Sequence, residues 1–276
     1  MKRNIATASA AFAAGIAGFF IRTRQLASAY DEAGLHITPD PWGTALIALC
    51  AAAAVLIFLM SFMMKNSERI ELTQNVLAVG LSCLGAAVLV IYCVLSFLRF
   101  TQTRDILTNF LFPVFGIAAA FCTIVFSAGV YKGTRGSRLS AAGAIPVFFG
   151  CLWLIVCYRS NAIEPTISLF SYELLAIILT VISLCVITHC IVYEKSSPLA
   201  LAFPALALFM TIVTLADSRE GIDTLLFVYA AIEMACGALL AQGGPGKDEE
   251  SQDFDQSPLS ERGLSISQSA FTVARW

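Results

Sequence analysis

Charged residues are scarce in this sequence. Only 13% of its 276 residues are Asp, Glu, Lys or Arg, whereas a soluble domain carries about 25%. Hydrophobic residues make up 58% of the chain, which would leave too little polar surface to cover a water-soluble core of this length. The net charge of −2 provides no strong field for nucleic acid, so we expect no nucleic-acid partner.

Histidine and the common catalytic motifs are also missing or rare. The chain has two histidines and no His-Glu-x-x-His, no Gly-x-Ser-x-Gly and no phosphate-binding glycine loop. The sequence therefore predicts no enzyme, no catalytic residue, no cofactor and no metal site.

Cysteine is present nine times, but never as Cys-x-x-Cys. Metal sites need clustered ligands with polar support. All nine cysteines lie in apolar blocks, where Cys acts as a small apolar residue. We expect neither metal binding nor structural disulfides.

Apolar blocks of the length that crosses a bilayer dominate the chain. A helix needs about 20 apolar residues to span a hydrocarbon core about 30 Å thick. The fold class predicted is all-α, a polytopic integral membrane bundle of about eight transmembrane helices over residues 1–241. The predicted spans are 5–21, 43–64, 75–98, 106–130, 139–157, 169–191, 198–216 and 222–240.

The first span has two interpretations. Its basic start and short apolar run resemble a signal peptide. However, Arg22 and Arg24 separate the run from the cleavage-like Ala27-Ser28-Ala29, which favours an uncleaved helix. The pairs Ala11/Gly15 and Ala14/Gly18 have the small-xxx-small spacing that lets helices approach closely.

The distribution of Lys and Arg favours cytoplasmic N- and C-termini. With the N-terminus inside, the outer loops hold six basic residues: Arg22, Arg24, Arg99, Arg104, Arg159 and Arg219. The inner side holds eight: Lys2, Arg3, Lys65, Arg69, Lys132, Arg135, Arg138 and Lys195. This excess of Lys and Arg on the inner side agrees with the positive-inside rule.

Residues 242–276 form an acidic segment rich in Ser and Gln, with six acids and three bases. Such a composition cannot bury a core, so we expect a disordered cytoplasmic tail. The tail either solubilises the chain or docks a membrane or cytoplasmic protein partner.

Internal duplication is a further interpretation. Comparison of the sequence with itself at an offset of 115 residues aligns Thr103-Arg104-Asp105 with Ser218-Arg219-Glu220, and Leu111-Phe112 with Leu226-Phe227. A true duplication would be a 4+4 parallel repeat. The Ala-, Leu- and Phe-rich composition also produces such matches by chance.

Glu233 is the main candidate for an intramembrane polar site. It lies near the middle of the eighth span, where a charged group is costly and suggests function. Tyr229 lies one turn away and could donate a hydrogen bond to it. Glu233 either couples protons or cations, or is a neutral carboxyl that hydrogen-bonds between helices.

Other polar groups give weaker signals. Glu173 and Asp223 lie near helix starts, where the helix dipole favours carboxylates. With four other residues they could form a polar rim, which we expect to be solvated surface: Arg159, Glu164, Asp217 and Arg219. Four more polar side chains could join Glu233 in a transport site: Asn109, Ser183, Thr211 and Thr214.

One stretch near the start of the sequence reads Phe19-Phe20-Ile21-Arg22-Thr23-Arg24-Gln25-Leu26-Ala27-Ser28-Ala29-Tyr30-Asp31-Glu32-Ala33-Gly34-Leu35 and is followed by Pro39 and Pro41. It resembles a segment of uncharacterised multi-span membrane proteins of anaerobic Gram-positive bacteria. The resemblance covers about twenty residues. It implies a bacterial plasma membrane and carries no known activity.

Two functions remain open. The scarcity of polar groups within the spans and the acidic tail favour a non-enzymatic sensor, regulatory or assembly component. The alternative is a small-solute or proton-coupled transporter that uses Glu233. The two differ in whether Glu233 has access to water.

Overall fold

A computed structural model of the chain describes residues 2–29, 39–63, 76–103, 106–134, 136–161, 167–193, 197–217, 219 and 221–240. Most of the described residues are helical and none lies in a strand, which confirms the all-α bundle. The helices are α1 (Lys2–Ser28), α2 (Pro41–Phe62), α3 (Val76–Thr103), α4 (Phe112–Tyr131), α5 (Ser137–Asn161), α6 (Ile167–Tyr193), α7 (Leu199–Thr214) and α8 (Gly221–Leu240). Residues 241–276, which include the predicted tail, lie outside the described residues.

Within this described part, seven helices are long and apolar enough to cross a membrane. The chain is therefore a multi-pass membrane protein. The eighth apolar helix, α7, is shorter. Its 16 residues rise about 24 Å, less than the roughly 30 Å of a hydrocarbon core.

The largest boundary error concerns α1. The sequence predicted its end at Ile21, because Arg22 and Arg24 looked like the start of a polar loop. The helix instead continues to Ser28. Arg22 is fully buried within the bundle, so the change from apolar to charged residues does not mark the surface there.

A short π-helical segment, Leu107–Leu111, precedes α4. It ends just before Pro113, whose ring removes a backbone N–H from the helical ladder. Single π-helical turns absorb such local mismatches and are frequent at functional sites. The segment carries Thr108 and Asn109.

Six of the helices, α3 to α8, form a closed ring. Each of α3 to α8 packs against the next helix in the chain, and α8 packs against α3. The first two helices form a hairpin that packs on α7. One end of the bundle, called the charged end below, contains the last residues of α1, α3, α5 and α7 and the first residues of α2, α4, α6 and α8.

The hairpin shields α7 from lipid. The helix contacts α6 and α8 in the ring and α1 and α2 outside it. Thirteen of its 16 residues are buried, whereas α2 exposes much of its apolar surface. The predicted seventh span is thus an internal helix of the bundle.

Small residues permit the close contact of α1 with α7, as their spacing predicted. A Cβ added at Gly15 would lie 3.0 Å from Cβ of Ile212. A Cβ at Gly18 would lie 2.6 Å from a methyl carbon of Val213. Without a hydrophobic driving force in lipid, such backbone proximity supplies the packing energy between helices. The 4+4 repeat stays a prediction.

Replacing Gly18 with leucine tests the role of this contact. The Gly18→Leu side chain cannot fit beside Val213, and overpacking of this kind costs about 1–3 kcal/mol. We expect a lower thermal unfolding temperature for the protein in lipid nanodiscs. Gly80→Leu is the control, because Gly80 is exposed on α3 and a Cβ there meets nothing within 4 Å. Equal unfolding temperatures for the two variants would contradict this account.

Candidate functional site

A buried ion pair joins α1 to the connection between α7 and α8. Nε of Arg22 donates to Oδ1 of Asp217 at 2.7 Å. The Arg22 side chain is fully buried, and its guanidinium also lies 4.6 Å from the ring centre of Tyr172 on α6. A buried arginine is tolerated only when it is paired and hydrogen-bonded, so Asp217 holds α1 in place.

The same turn of α1 also fixes α2. Nη1 of Arg22 donates to Oε1 of Gln25 at 2.9 Å, and Nε2 of Gln25 donates to Oδ2 of Asp40 at 2.8 Å. The other carboxylate oxygen of Asp40 accepts the backbone N–H of Gly43 at 2.8 Å and caps α2. One chain of hydrogen bonds therefore runs from Asp217 to the first turn of α2.

Asp217 is shared between two arginines. Nη2 of Arg219 donates to Oδ2 of Asp217 at 3.0 Å, and Nε of Arg219 lies 3.4 Å from Oε1 of Glu173 on α6. Burial raises the pKa of the Asp217 carboxyl above its ordinary value, and the charges of Arg22 and Arg219 oppose that rise. The arginines thus help to keep Asp217 ionised in a site that otherwise disfavours charge.

The expectation of a solvated rim is wrong for three of its residues. Side-chain exposure is 16% for Glu173, 11% for Asp217 and 9% for Arg219. Arg159 is exposed as expected, and Glu164 lies outside the described residues. The charges are internal because several helix ends converge on one point.

A cavity of about 320 Å³ adjoins this network at the charged end. Five elements of the ring line it: α3, the π-helical segment with α4, α5, α6 and α8. Its polar lining residues are Tyr92, Ser96, Arg99, Thr108, Asn109, Ser160, Asn161, Glu173, Arg219 and Asp223. We call it the charged-end cavity. Its volume lies at the lower end of the range for small-molecule sites.

Aromatic side chains close the inner side of this cavity. Trp153 and Phe227 meet edge to face with ring centres 4.9 Å apart. Phe112 stacks on Phe149 at 4.9 Å and meets Tyr92 edge to face at 6.0 Å. We call these five residues the aromatic layer, because along α3, α4, α5 and α8 they lie between the polar residues of the charged-end cavity and the surroundings of Glu233.

Glu233 lies beyond the aromatic layer, six residues or about 9 Å along α8 from Phe227. It is buried, and a Cβ at Gly85 of α3 would lie 2.5 Å from its Oε1. The Ser82 hydroxyl is hydrogen-bonded to the Glu233 carboxyl and accepts a 2.6 Å hydrogen bond from Ser127. Among the described residues, Oε1 of Glu233 has no hydrogen-bond partner.

A second, smaller cavity adjoins Glu233. It has a volume of about 40 Å³, more than the 10–15 Å³ that one water molecule needs. We call it the carboxyl cavity. Three hydroxyl groups share its lining with Glu233, those of Thr123, Ser127 and Thr188. The rest of the lining is small or apolar: Phe126, Gly143, Pro146, Leu184, Ile187, Cys236, Gly237 and Leu240.

The other predicted polar residues have different places. Tyr229 is buried and hydrogen-bonded to Thr123, and it interacts electrostatically with Glu233. Asn109 lines the charged-end cavity. Ser183, Thr211 and Thr214 lie outside the lining of both cavities, since their hydroxyls donate to backbone carbonyls of their own helices.

Sequence reasoning missed the charged-end cavity. One signal was available, because an arginine inside an apolar helix is costly and marks a functional or structural site. Arg22 was assigned to a loop, so this signal was not used. Within the described ranges, no group of three or more His, Cys, Asp and Glu residues could hold a metal ion.

Removal of the Arg22 charge should destabilise the bundle. Arg22→Gln leaves Asp217 buried with one partner fewer, and such a change costs about 3–5 kcal/mol. The measurement is thermal unfolding in nanodiscs. Arg24→Gln is the matched control, two residues away on α1 but exposed, and should leave stability unchanged. A similar loss in both variants would contradict a specific role for the ion pair.

No family model matches the chain, and no curated protein or solved structure matches it significantly.

Proposed function

We propose that this membrane protein transports a small polar solute. The observation that supports the proposal is the presence of two cavities inside one ring of helices, with the aromatic layer between them. A transporter needs a solute site enclosed by its helices and a barrier that keeps the two sides of the membrane apart. The charged-end cavity supplies the solute site, and the aromatic layer supplies the barrier.

Glu233 is the proposed coupling group. Its carboxyl lies on the far side of the barrier, beside a cavity large enough for water. Gain or loss of a proton there changes the number of charges buried in the ring, which biases the packing of α3, α4 and α8 around it. This assigns to Glu233 a proton-coupling role and to Tyr229 and Ser82 the role of positioning neighbours.

The proposed location is the bacterial plasma membrane with both termini in the cytoplasm. Arg22 and Arg219 are buried in ion pairs, so they are not loop charges. Without these two residues, the outer side holds four Lys and Arg residues and the inner side holds eight. The stronger bias supports a charged end that faces away from the cytoplasm.

A sensor, regulatory or assembly component is the second candidate. It is favoured by the direct path from the charged-end cavity to α1, through Arg219, Asp217 and Arg22. A bound solute that draws Arg219 away from Asp217 would disturb the contact that fixes α1. In this case the protein binds the solute without moving it, is non-enzymatic, and signals through a protein partner, for which the tail is the proposed docking segment.

Cysteine labelling separates transport from sensing. In a variant without its nine native cysteines, Ser160→Cys reports the charged-end cavity and Thr188→Cys the carboxyl cavity. For a transporter, an impermeant thiol reagent should modify the two positions from opposite sides of the membrane. Ser183→Cys is the control, because Ser183 is buried on α6 outside both cavities. Modification of Ser160→Cys alone would support the sensor and contradict transport.

The coupling role of Glu233 predicts a pH-dependent change in access. The thiolate is the reactive form of cysteine, so each rate at Thr188→Cys is divided by the rate at Ser160→Cys at the same pH. This ratio should differ between pH 6 and pH 8 if protonation of Glu233 shifts the bundle. Glu233→Gln should abolish the difference in the ratio, because it keeps the size of the side chain but cannot titrate. Glu233→Asp should retain it. An unchanged pH dependence in Glu233→Gln would assign the coupling to another group.

A further inference from the structure

The charged-end cavity combines both signs of charge. Arg99 and Arg219 line it together with Glu173 and Asp223. Behind Arg219 lies the buried pair of Arg22 and Asp217. Three arginines therefore accompany three carboxylates. A purely anionic or cationic solute would leave one sign in excess, whereas a solute that carries both signs preserves the balance.

Arg219 provides the subsite for a negative group. Its Nη2 donates to Asp217 and its Nε is paired with Glu173, whereas Nη1 has no hydrogen-bond partner in the described part of the chain. The side chain is only 9% exposed. Buried donors are normally satisfied, and a carboxylate oxygen is a strong acceptor for the N–H groups of Nη1.

The position of Arg219 is fixed before a solute arrives. Its guanidinium carbon lies 3.9 Å from the ring centre of Phe227, and Asp217 holds one edge of the group. A guanidinium held by a ring and a carboxylate loses little further freedom on binding. This favours recognition of a carboxylate with a defined orientation.

The opposite charge and the apolar part of the solute have their own contacts. Asp223, in the first turn of α8, lines the same cavity as Arg219 and interacts electrostatically with Arg99 and Arg219. Its carboxylate would attract the ammonium group of a solute in this cavity. The edges of Trp153 and Phe112 in the aromatic layer offer an apolar wall.

We propose that the charged-end cavity binds a small zwitterion of the α-amino-acid type, with its carboxylate on Arg219, its ammonium towards Asp223 and its side chain against the aromatic layer. This inference rests on the proposed solute-binding function and names the class of solute. The cavity volume of about 320 Å³ restricts the solute to a single small molecule.

Trp153 makes binding directly measurable. The chain has three tryptophans, so Trp42→Phe with Trp276→Phe leaves Trp153 as the only indole, inside the cavity lining. The full chain in nanodiscs would be titrated with L-alanine, L-leucine and L-phenylalanine. Three analogues then test each group: leucinamide lacks the carboxylate, 4-methylpentanoate lacks the ammonium, and sorbitol is polar but uncharged.

The expected result is saturable binding of at least one amino acid. For leucine, both analogues should bind at least ten-fold more weakly. Arg219→Gln should weaken leucine binding at least ten-fold but leave leucinamide binding unchanged, which a merely structural defect would not do. Arg159→Gln is the control, an exposed arginine at the same end, and should bind leucine as the parent does. If Arg219→Gln does not fold, the comparison of leucine with its three analogues on the parent protein still tests whether the solute must be a zwitterion.

The alternative outcomes are distinct. Leucinamide that binds as tightly as leucine, or sorbitol that displaces it, would overturn the zwitterion and leave solute binding intact. If no amino acid, analogue or sorbitol changes Trp153 emission or raises the unfolding temperature, both the zwitterion and the proposed solute site fail.

Discussion

The ion pair of Arg22 and Asp217 is the interaction on which the charged end depends. Both groups are withdrawn from water, so each is tolerated only because the other is present. The pair fixes α1 against the connection between α7 and α8, and through Gln25 and Asp40 it also fixes the start of α2. Asp217 accepts one hydrogen bond from Arg22 and one from Arg219. Nη1 of Arg219 stays without a partner in the described residues and can donate to a solute in the charged-end cavity.

In a lipid environment, close packing of the helices supplies the association energy that the hydrophobic effect cannot supply. Lipid tails are as apolar as leucine, so helices associate through close packing and a few polar contacts. Gly15 and Gly18 bring α1 onto α7, and Gly85 brings α3 onto the Glu233 carboxyl. The α1–α2 hairpin consequently faces lipid in place of α7. This arrangement lets the six-helix ring enclose polar groups while its outer surface stays apolar.

The two cavities differ in their electrostatic character. The charged-end cavity holds paired charges of both signs near the edge of the membrane, where partial hydration lowers their cost. The carboxyl cavity lies deeper in the ring and combines the Glu233 carboxyl and three hydroxyl groups with a mostly apolar lining. The aromatic layer between them keeps each environment separate. In the proposed transport cycle, this layer is the barrier that opens between the two cavities.

The sequence by itself determined the class of protein, the positions of the helices and the burial of Glu233. These follow from local properties, namely the length of each apolar run and one carboxylate within the last of them. It did not determine the burial of Arg22, the internal place of α7 or the charged-end cavity. Arg22 lies 195 residues from Asp217, and neither residue signals the other along the chain. Only tertiary packing decided which helix ends converge, because pairing of distant charges depends on the arrangement of helices around them.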